Sequence, residues 1–496
     1  MDQDEKKQYA RSEDAAEVAT GIVIERISPE DDLRIRRTLD RWLLPVMALS
    51  YAFQYLDKSA LASTAILGLR TDLKLTGNEY SWASSIYYFG YLIASYPAGL
   101  MMVKWKVGKS ITLSILIWGA VLMVTATCHN AAGLLATRFF LGVAECAIAP
   151  GLTIMISMFY KRKEQPLRHA AWFLGNTTAG ALGGLLNFGI GHIRIIAPWK
   201  GTFLFLGTAT VLWGIANIFL LPDTPTTAWF LSKEDREKAV IRVKDNLTGI
   251  KSNELKWDQF KEALTDPKTW FLFFLQIGLN IPNGGITSFR SIILQGIGFS
   301  TFQTLLLQMA PYGLQLILVI VCTVGSRIWE GTRTYWMMMC FALALVGAAL
   351  VRELPEHDRW GRYAGTCLVG GYSGCFPLVM SLMSGNVGGF TKKTTVNALV
   401  FIAYCAGNII GPQLFFAREA PRYDSGFAAM MVCLSACFVI SYAFRRYLIW
   451  VNKNRDLEEA AMDMADADPV SREALSEAMA MDDKTDTQIR KFRYVY

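Results

Sequence analysis

The chain has 496 residues, 52% of them hydrophobic and only 18% charged, with a formal net charge of +7. Soluble proteins carry about a quarter charged residues and need a charged coat. The composition, with a mean hydropathy of +0.28, therefore excludes an ordinary soluble enzyme and points to an α-helical membrane protein.

Residues 1–41 mix both charge signs and hold no apolar core, so they form no secretory signal. The first apolar run then serves as a permanent spanning helix. A span needs about 20 mostly apolar residues, and twelve runs qualify. The first six are near Trp42–Ser63, Trp82–Met102, Ile111–Cys128, Ala132–Ser157, Ala170–Ile190 and Thr202–Leu221. A polar central loop, 222–268, follows. The second six are near Thr269–Ile293, Leu305–Val324, Tyr335–Val351, Tyr363–Ser384, Val396–Phe416 and Gly426–Trp450. The predicted organisation is an N-terminal segment (1–41), a six-helix bundle (42–221), the loop, a second six-helix bundle (269–450) and an acidic tail (451–496), expected to be disordered or partly helical.

Loop Lys/Arg residues set orientation. Lys104, Lys106 and Lys109 follow run 2; Lys161, Arg162, Lys163 and Arg168 follow run 4; Lys392 and Lys393 precede run 11. The central loop holds nine more Lys/Arg. Even-numbered loops and both termini are expected to be cytoplasmic, with Arg352, Arg359 and Arg362 after run 9 as a counter-signal. The sequons at Asn176 and Asn246 then fall in a span and a cytoplasmic loop, where neither is glycosylated.

The two halves echo each other. Run 5 contains Gly175-Asn176 and Gly180; run 11 contains Gly407-Asn408 and Gly411, offset by 232 residues. Two parallel six-helix halves related about the membrane normal build one large transporter class. Small residues at this spacing let helices approach closely.

Charges inside spans are costly and mark pathways. Asp57 and Lys58 lie in run 1, and Arg138 and Glu145 lie seven residues apart on one face of run 4. Mutually neutralising pairs among these four are expected, and the functional reading is a proton and anion site in which Lys58 and Arg138 are substrate-binding candidates. Glu145, the deeper carboxylate, is the first candidate for proton coupling, and Asp57 the second. The 232-residue offset maps Lys58 onto Arg290 of run 7, so two cations flank a central cavity as a clamp for an organic anion. The alternative places Arg290 at the outer end of its helix, snorkelling to water. Run 7 also carries Asn280, Asn283, Gly284 and Gly285 around Pro282, read as a helix break. Run 11 adds Asn397, Tyr404, Asn408 and Gln413 as polar groups able to read a substrate. The four histidines fall in loops or at helix ends and receive no role.

No nucleophile–base spacing, phosphate loop or metal cluster occurs, so no enzymatic activity, cofactor or metal is expected. No basic stripe suggests nucleic acid. The nine cysteines stand singly, mostly in apolar runs, where Cys acts as a small hydrophobe.

The sequence resembles the major facilitator superfamily and, within it, the anion:cation symporters of fungi, especially the allantoate permease family. The matching segments are Tyr55-Leu-Asp-Lys-Ser-Ala-Leu61, Tyr87-Tyr-Phe-Gly-Tyr-Leu92, Arg138-Phe-Phe-Leu-Gly-Val-Ala-Glu145, Leu221-Pro-Asp-Thr-Pro225, Asp266-Pro-Lys-Thr-Trp270, Ile281-Pro-Asn-Gly-Gly285, Thr391-Lys-Lys-Thr-Thr-Val-Asn-Ala398 and Gly407-Asn-Ile-Ile-Gly-Pro-Gln413. They run in order over roughly residues 40–450. The resemblance implies alternating access and proton-driven uptake of small organic anions (allantoate, ureido or carboxylate compounds) across the plasma membrane, by a monomer. An exporter or carrier of a fungal secondary metabolite is the alternative. Two departures stand out. The loop after run 2 has Val103 where the superfamily usually has an Asp. Run 5 lacks the Gly-Pro of drug antiporters, although Gly183-Gly184 is present.

Overall fold

The computed structural model describes residues 27–161, 164–193, 195–247, 256–463, 484–489 and 492–496. Among these there is no β-strand, and twelve helical passes run back and forth in two sets of six. The first set is α1 (Pro29–Thr64), α2 (Glu79–Lys104), α3 (Val107–Thr125), α4 (Ala131–Glu145 and Ile148–Phe159), α5 (Gln165–Ile190) and α6 (Pro198–Leu220). The second is α7 (Pro267–Gly296), α8 (Thr301–Leu307 and Met309–Ile328), α9 (Arg333–Glu353), α10 (Arg359–Val369 and Cys375–Asn386), α11 (Phe390–Gln413) and α12 (Asp424–Asp463).

Helix α1 begins at Pro29, well before Trp42. Ser28 accepts the amide of Asp31, Pro29 sets the first turn, and Glu30, Asp31 and Asp32 face the positive end of the helix dipole. It ends through a π-helical stretch, Ala65–Leu69, where Gly68 sits at φ 103°, a conformation that favours glycine.

The internal echo is visible in the packing. A methyl group on Gly175 would meet the Ala48 carbonyl at 2.3 Å, and one on Gly407 would meet Asn280 Cβ at 2.7 Å. Ala48 and Asn280 are themselves 232 residues apart. The α1–α5 and α7–α11 pairs therefore repeat one close crossing, and the glycines serve packing.

The expected break at Pro282 is absent, because α7 is one continuous 30-residue helix. Gly284 and Gly285 lie against Asn408 and the Phe415 ring instead. The break falls in α10, where the 3-10 turn Gly370–Gly374 interrupts the helix, and in α4 at Cys146–Ala147.

Eight passes are apolar enough to cross a membrane on composition alone; α1, α2, α5 and α7 are not. Those four supply most of the side chains around the central cavity described below. Their polarity is spent between the halves rather than on lipid.

The loops gather at two ends. The basic end holds the start of α1, the α4–α5 turn, the central loop and the end of α12. The central loop contains two helices, Lys233–Leu247 and Trp257–Thr265. Arg242 of the first is buried, with Nε 2.8 Å from Asp32 and Nη2 2.5 Å from Glu164. Asp223 accepts the Lys109 amide at 3.0 Å, so an acid does sit at the start of α3, supplied by the central loop. At the far end Arg362 is buried and donates to the Val351 carbonyl at 3.2 Å, which accounts for one basic residue of the counter-signal.

Burial raises the Asp32 carboxyl, but hydrogen bonds from Lys161 and Arg242 outweigh it and hold the group below the ordinary range. Its contribution to stability is complete above about pH 4 and is lost as the pH falls through the lowered value. Arg242→Met should cost about 2 kcal/mol, below the loss for a fully buried pair because Asp32 and Glu164 can rehydrate. A thermal melt of the purified protein checks this; an unchanged midpoint would show that the loop helix contributes no stability.

Of the tail, residues up to Asp463 continue α12, in line with the partly helical expectation, and 464–483, 490 and 491 lie outside the described residues. Residues 484–489 and 492–496 are seated against the basic end of the second half, with Asp486 fully buried and Tyr494 3% exposed.

Candidate substrate cavity

Between the halves lies a cavity of about 130 Å³. Tyr51, Gln54, Tyr55 and Lys58 enter it from α1, spaced so that they share one helix face. Tyr87 and Tyr91 of α2, Asn176 of α5 and Asn283, Thr287 and Arg290 of α7 also line it. Gln315 of α8, Tyr372 and Phe376 of α10, and Tyr404 of α11 complete the wall. The floor and sides are thus mostly tyrosine and amide, with two cations.

Arg290 is 4% exposed and lines the cavity rather than reaching bulk water. Its guanidinium lies 4.7 Å from the Tyr312 ring, and neither Nε nor Nη1 has a hydrogen-bond partner. Tyr312 is fixed in turn by a hydroxyl contact of 3.1 Å with Tyr55. Lys58 Nζ donates to Tyr404 at 3.3 Å and stands 4.7 Å from the Tyr88 ring. Aromatic faces hold both cations without neutralising them.

The expected ion pairs among Asp57, Lys58, Arg138 and Glu145 do not form. Asp57 is turned away from the cavity, where its Oδ2 accepts from Trp118 of α3 (2.8 Å) and Thr210 of α6 (2.7 Å). Neighbours on a helix point about 100° apart, so Asp57 and Lys58 cannot share a face. Glu145 is fully buried and accepts the Tyr87 hydroxyl at 2.7 Å. Tyr87 therefore stands between the carboxylate and the cavity. Its position depends on α2 and α4 being in backbone contact: a methyl on Gly90 would meet the Phe139 carbonyl at 2.2 Å, and one on Gly142 the Tyr87 carbonyl at 2.0 Å. Arg138 lies behind this layer, 5.2 Å from the Phe203 ring, and borders a second space of about 20 Å³ with Lys58 and Ser84.

Three polar candidates differ in placement. Asn283 lines the cavity, donates to Asn408 at 2.8 Å and accepts from Tyr372 at 3.2 Å. Asn408 is fully buried and committed to Asn283, Asn280 and the Tyr404 carbonyl, so it braces α7 against α11 instead of facing a ligand. Asn397 is exposed two turns nearer the basic end than Tyr404 and is not part of the wall. Of the wall, Tyr404 was singled out from the sequence, whereas the other five tyrosines and Gln315 were not. The signal available was the i, i+4 and i+7 repeat of Tyr51, Tyr55 and Lys58 in a weakly apolar pass.

The cavity is shut at the far end. Tyr80 donates to the Ser288 carbonyl at 2.7 Å, His192 stacks on Phe302 at 4.2 Å, and α5 touches the Leu305 carbonyl through Gly184. Nearer the basic end the halves meet at Tyr91–Phe401, 5.7 Å between ring centres. Beyond that pair Tyr96 and Asn397 are exposed.

Twelve passes in two echoing sets, with a polar cavity between them that is closed at one end, define a secondary transporter of the membrane. The profile of the Major Facilitator Superfamily matches residues 47–412, and the chain belongs to that superfamily. It is 33% identical to an uncharacterized transporter of Schizosaccharomyces pombe, over 97% of this chain and 92% of the relative. It is 32% identical to the allantoate permease of Saccharomyces cerevisiae, over 94% of this chain and 87% of the permease. The fold also matches the crystal structure of a D-xylose–proton symporter, with a TM-score of 0.61 at 11% identity, covering 81% of this chain and 97% of that one. These relatives are transporters, and the chain is a multi-pass membrane protein of the same kind.

Proposed function

We propose that this protein takes up a small organic anion of the allantoate, ureido or carboxylate class by alternating access, driven by protons. The observation that carries the reading is the placement of Lys58 and Arg290, 232 residues apart, on one buried cavity with no carboxylate paired to either. Two uncompensated cations in a low-dielectric space favour an anion between them. Asn283 and Tyr404 offer a donor and acceptor set beside the clamp, and Arg138 holds the layer behind it. Glu145, one hydrogen bond from the cavity through Tyr87, is the proton-coupling carboxylate. The likeness to an allantoate permease supports the substrate class.

The basic end is cytoplasmic on the distribution of Lys and Arg, which puts the Tyr80–Ser288 closure on the outer side. The plasma membrane is the proposed location, and a monomer the working unit, since each chain contains a whole cavity. A tag placed in the central loop near Ser252 should be reachable only after permeabilisation; labelling of intact cells would reverse the orientation. The function itself is tested by radiolabelled uptake of a panel of small anions with and without a proton uncoupler. Accumulation of at least one anion that collapses with the uncoupler is expected, and accumulation indifferent to it would remove proton coupling.

A further inference from the structure

Residues 484–489 and 492–496 are held as a ligand is held. Asn452 of α12 accepts the Tyr494 amide at 2.9 Å and donates to the Tyr494 carbonyl at 2.8 Å. Asn386 of α10 does the same for Val495, at 2.8 Å each way. Two asparagine side chains thus read the backbone of an extended peptide as a neighbouring strand would. Arg455 adds hydrogen bonds to the carbonyls of Asp486 and Phe492.

Side chains supply the specificity. The buried Asp486 carboxylate lies 2.8 Å from Lys392 and 3.0 Å from Lys268, and also accepts the Tyr494 hydroxyl at 2.8 Å. The Tyr494 ring packs 4.4 Å from the Lys268 ammonium. Glu262, Asp266 and Asp486 together have the look of a metal site, with their oxygens within 4.8 Å of one another. The space is already claimed by two ammonium groups: Lys392 is 2.7 Å from Asp266 and 2.8 Å from Glu262. Without the segment, Lys268, Lys392 and the adjacent Arg455 face Glu262 and Asp266, an excess of positive charge. With it, Asp486 sets three carboxylates against three cations. The pocket therefore gains from the Asp486 charge, and a further negative charge would put it in excess.

We propose that the basic end of the second half is a peptide-docking site, that segment 484–496 of this chain is its occupant, and that the Asp486 carboxylate is the charge that keys it. The exposed Thr487 hydroxyl, which touches Glu262, marks the place where an added negative charge would expel the segment. This inference does not depend on what the cavity transports.

The test uses the full chain. A protease site is placed after residue 473, the folded protein is cut, and retention of the 474–496 fragment is followed by size exclusion. The fragment should stay on the otherwise unaltered protein. It should leave on the order of tenfold faster or more with Asp486→Asn or Thr487→Asp, and stay with Thr487→Val. A synthetic 484–496 peptide should displace the labelled fragment from the cut protein, and its Asp486→Asn version should compete on the order of tenfold less well or worse. That arm needs no substitution at Asp486 or Thr487 of the transporter itself. Immediate loss of the unaltered fragment, or equal competition by the two peptides, would overturn the proposal.

Discussion

Arg290→Gln should raise the apparent transport constant for anions by roughly ten- to hundred-fold while leaving protein abundance and melting temperature unchanged or slightly improved. The first half of the expectation comes from the loss of a charge-assisted hydrogen bond, about 1.5–3 kcal/mol, which converts to that range of affinity. The second half separates a ligand-binding role from a structural one. Arg290 is buried with two nitrogens unpartnered and only the Tyr312 ring against its charge. Removing an unpaired buried charge relieves the folded state, so a residue kept there at a cost to stability is kept for what it binds. Gln retains amide donors and much of the volume. Arg290→Lys should recover part of the affinity, since a point charge cannot reproduce the two-pronged fit to a carboxylate. An unchanged transport constant for Arg290→Gln would remove the clamp.

Much of the architecture was legible because membrane burial writes itself into composition. Twelve apolar runs, a polar interruption at 222–268 and a 232-residue echo are long-range signals that need no contact information. The same echo located Arg290 opposite Lys58. Where the sequence misled, local chemistry was overruled by packing. Pro282 sits inside an unbroken α7, whose Gly284 and Gly285 meet Asn408 and Gly411 of α11 in backbone contact. The tail reads as acidic and polar, and nothing in its own pattern shows that Asp486 meets Lys268 and Lys392, residues more than 90 positions away.

The site was legible only by residue type. Charged residues inside spans stand out as unusual, but the sequence does not say which way a helix face turns. Asp57 and Lys58 are neighbours in the chain and serve different surroundings: Lys58 faces the cavity, Asp57 the α3–α6 side. Asn408 looks like a substrate reader and is consumed by Asn280 and Asn283. Tyrosines other than Tyr404 went unremarked because an isolated tyrosine in a span is ordinary; six of them converging on one space is a property of the assembled halves.

Glu145→Gln should abolish uphill accumulation and leave substrate exchange between preloaded and external pools intact. The geometry isolates the effect. Gln keeps an oxygen to accept the Tyr87 hydroxyl, so the α2–α4 contact and the cavity wall should survive. What is lost is a group able to carry a proton. Tyr87→Phe should give a weaker form of the same defect, because it removes the hydrogen bond that the Glu145 carboxylate accepts from the cavity wall while preserving the ring against Tyr88 and Tyr91. Asp57→Asn makes the contrast. Its carboxylate is bound by Trp118 and Thr210 within the first half, so its replacement should lower stability by about 1–3 kcal/mol, the range for a disturbed buried hydrogen bond, with coupling retained in the protein that folds. Counterflow and uphill uptake measured side by side in proteoliposomes distinguish the three. Should Glu145→Gln still concentrate substrate while Asp57→Asn folds normally and loses accumulation, the proton runs through the α3–α6 side of α1 and the Tyr87 link is a packing contact alone.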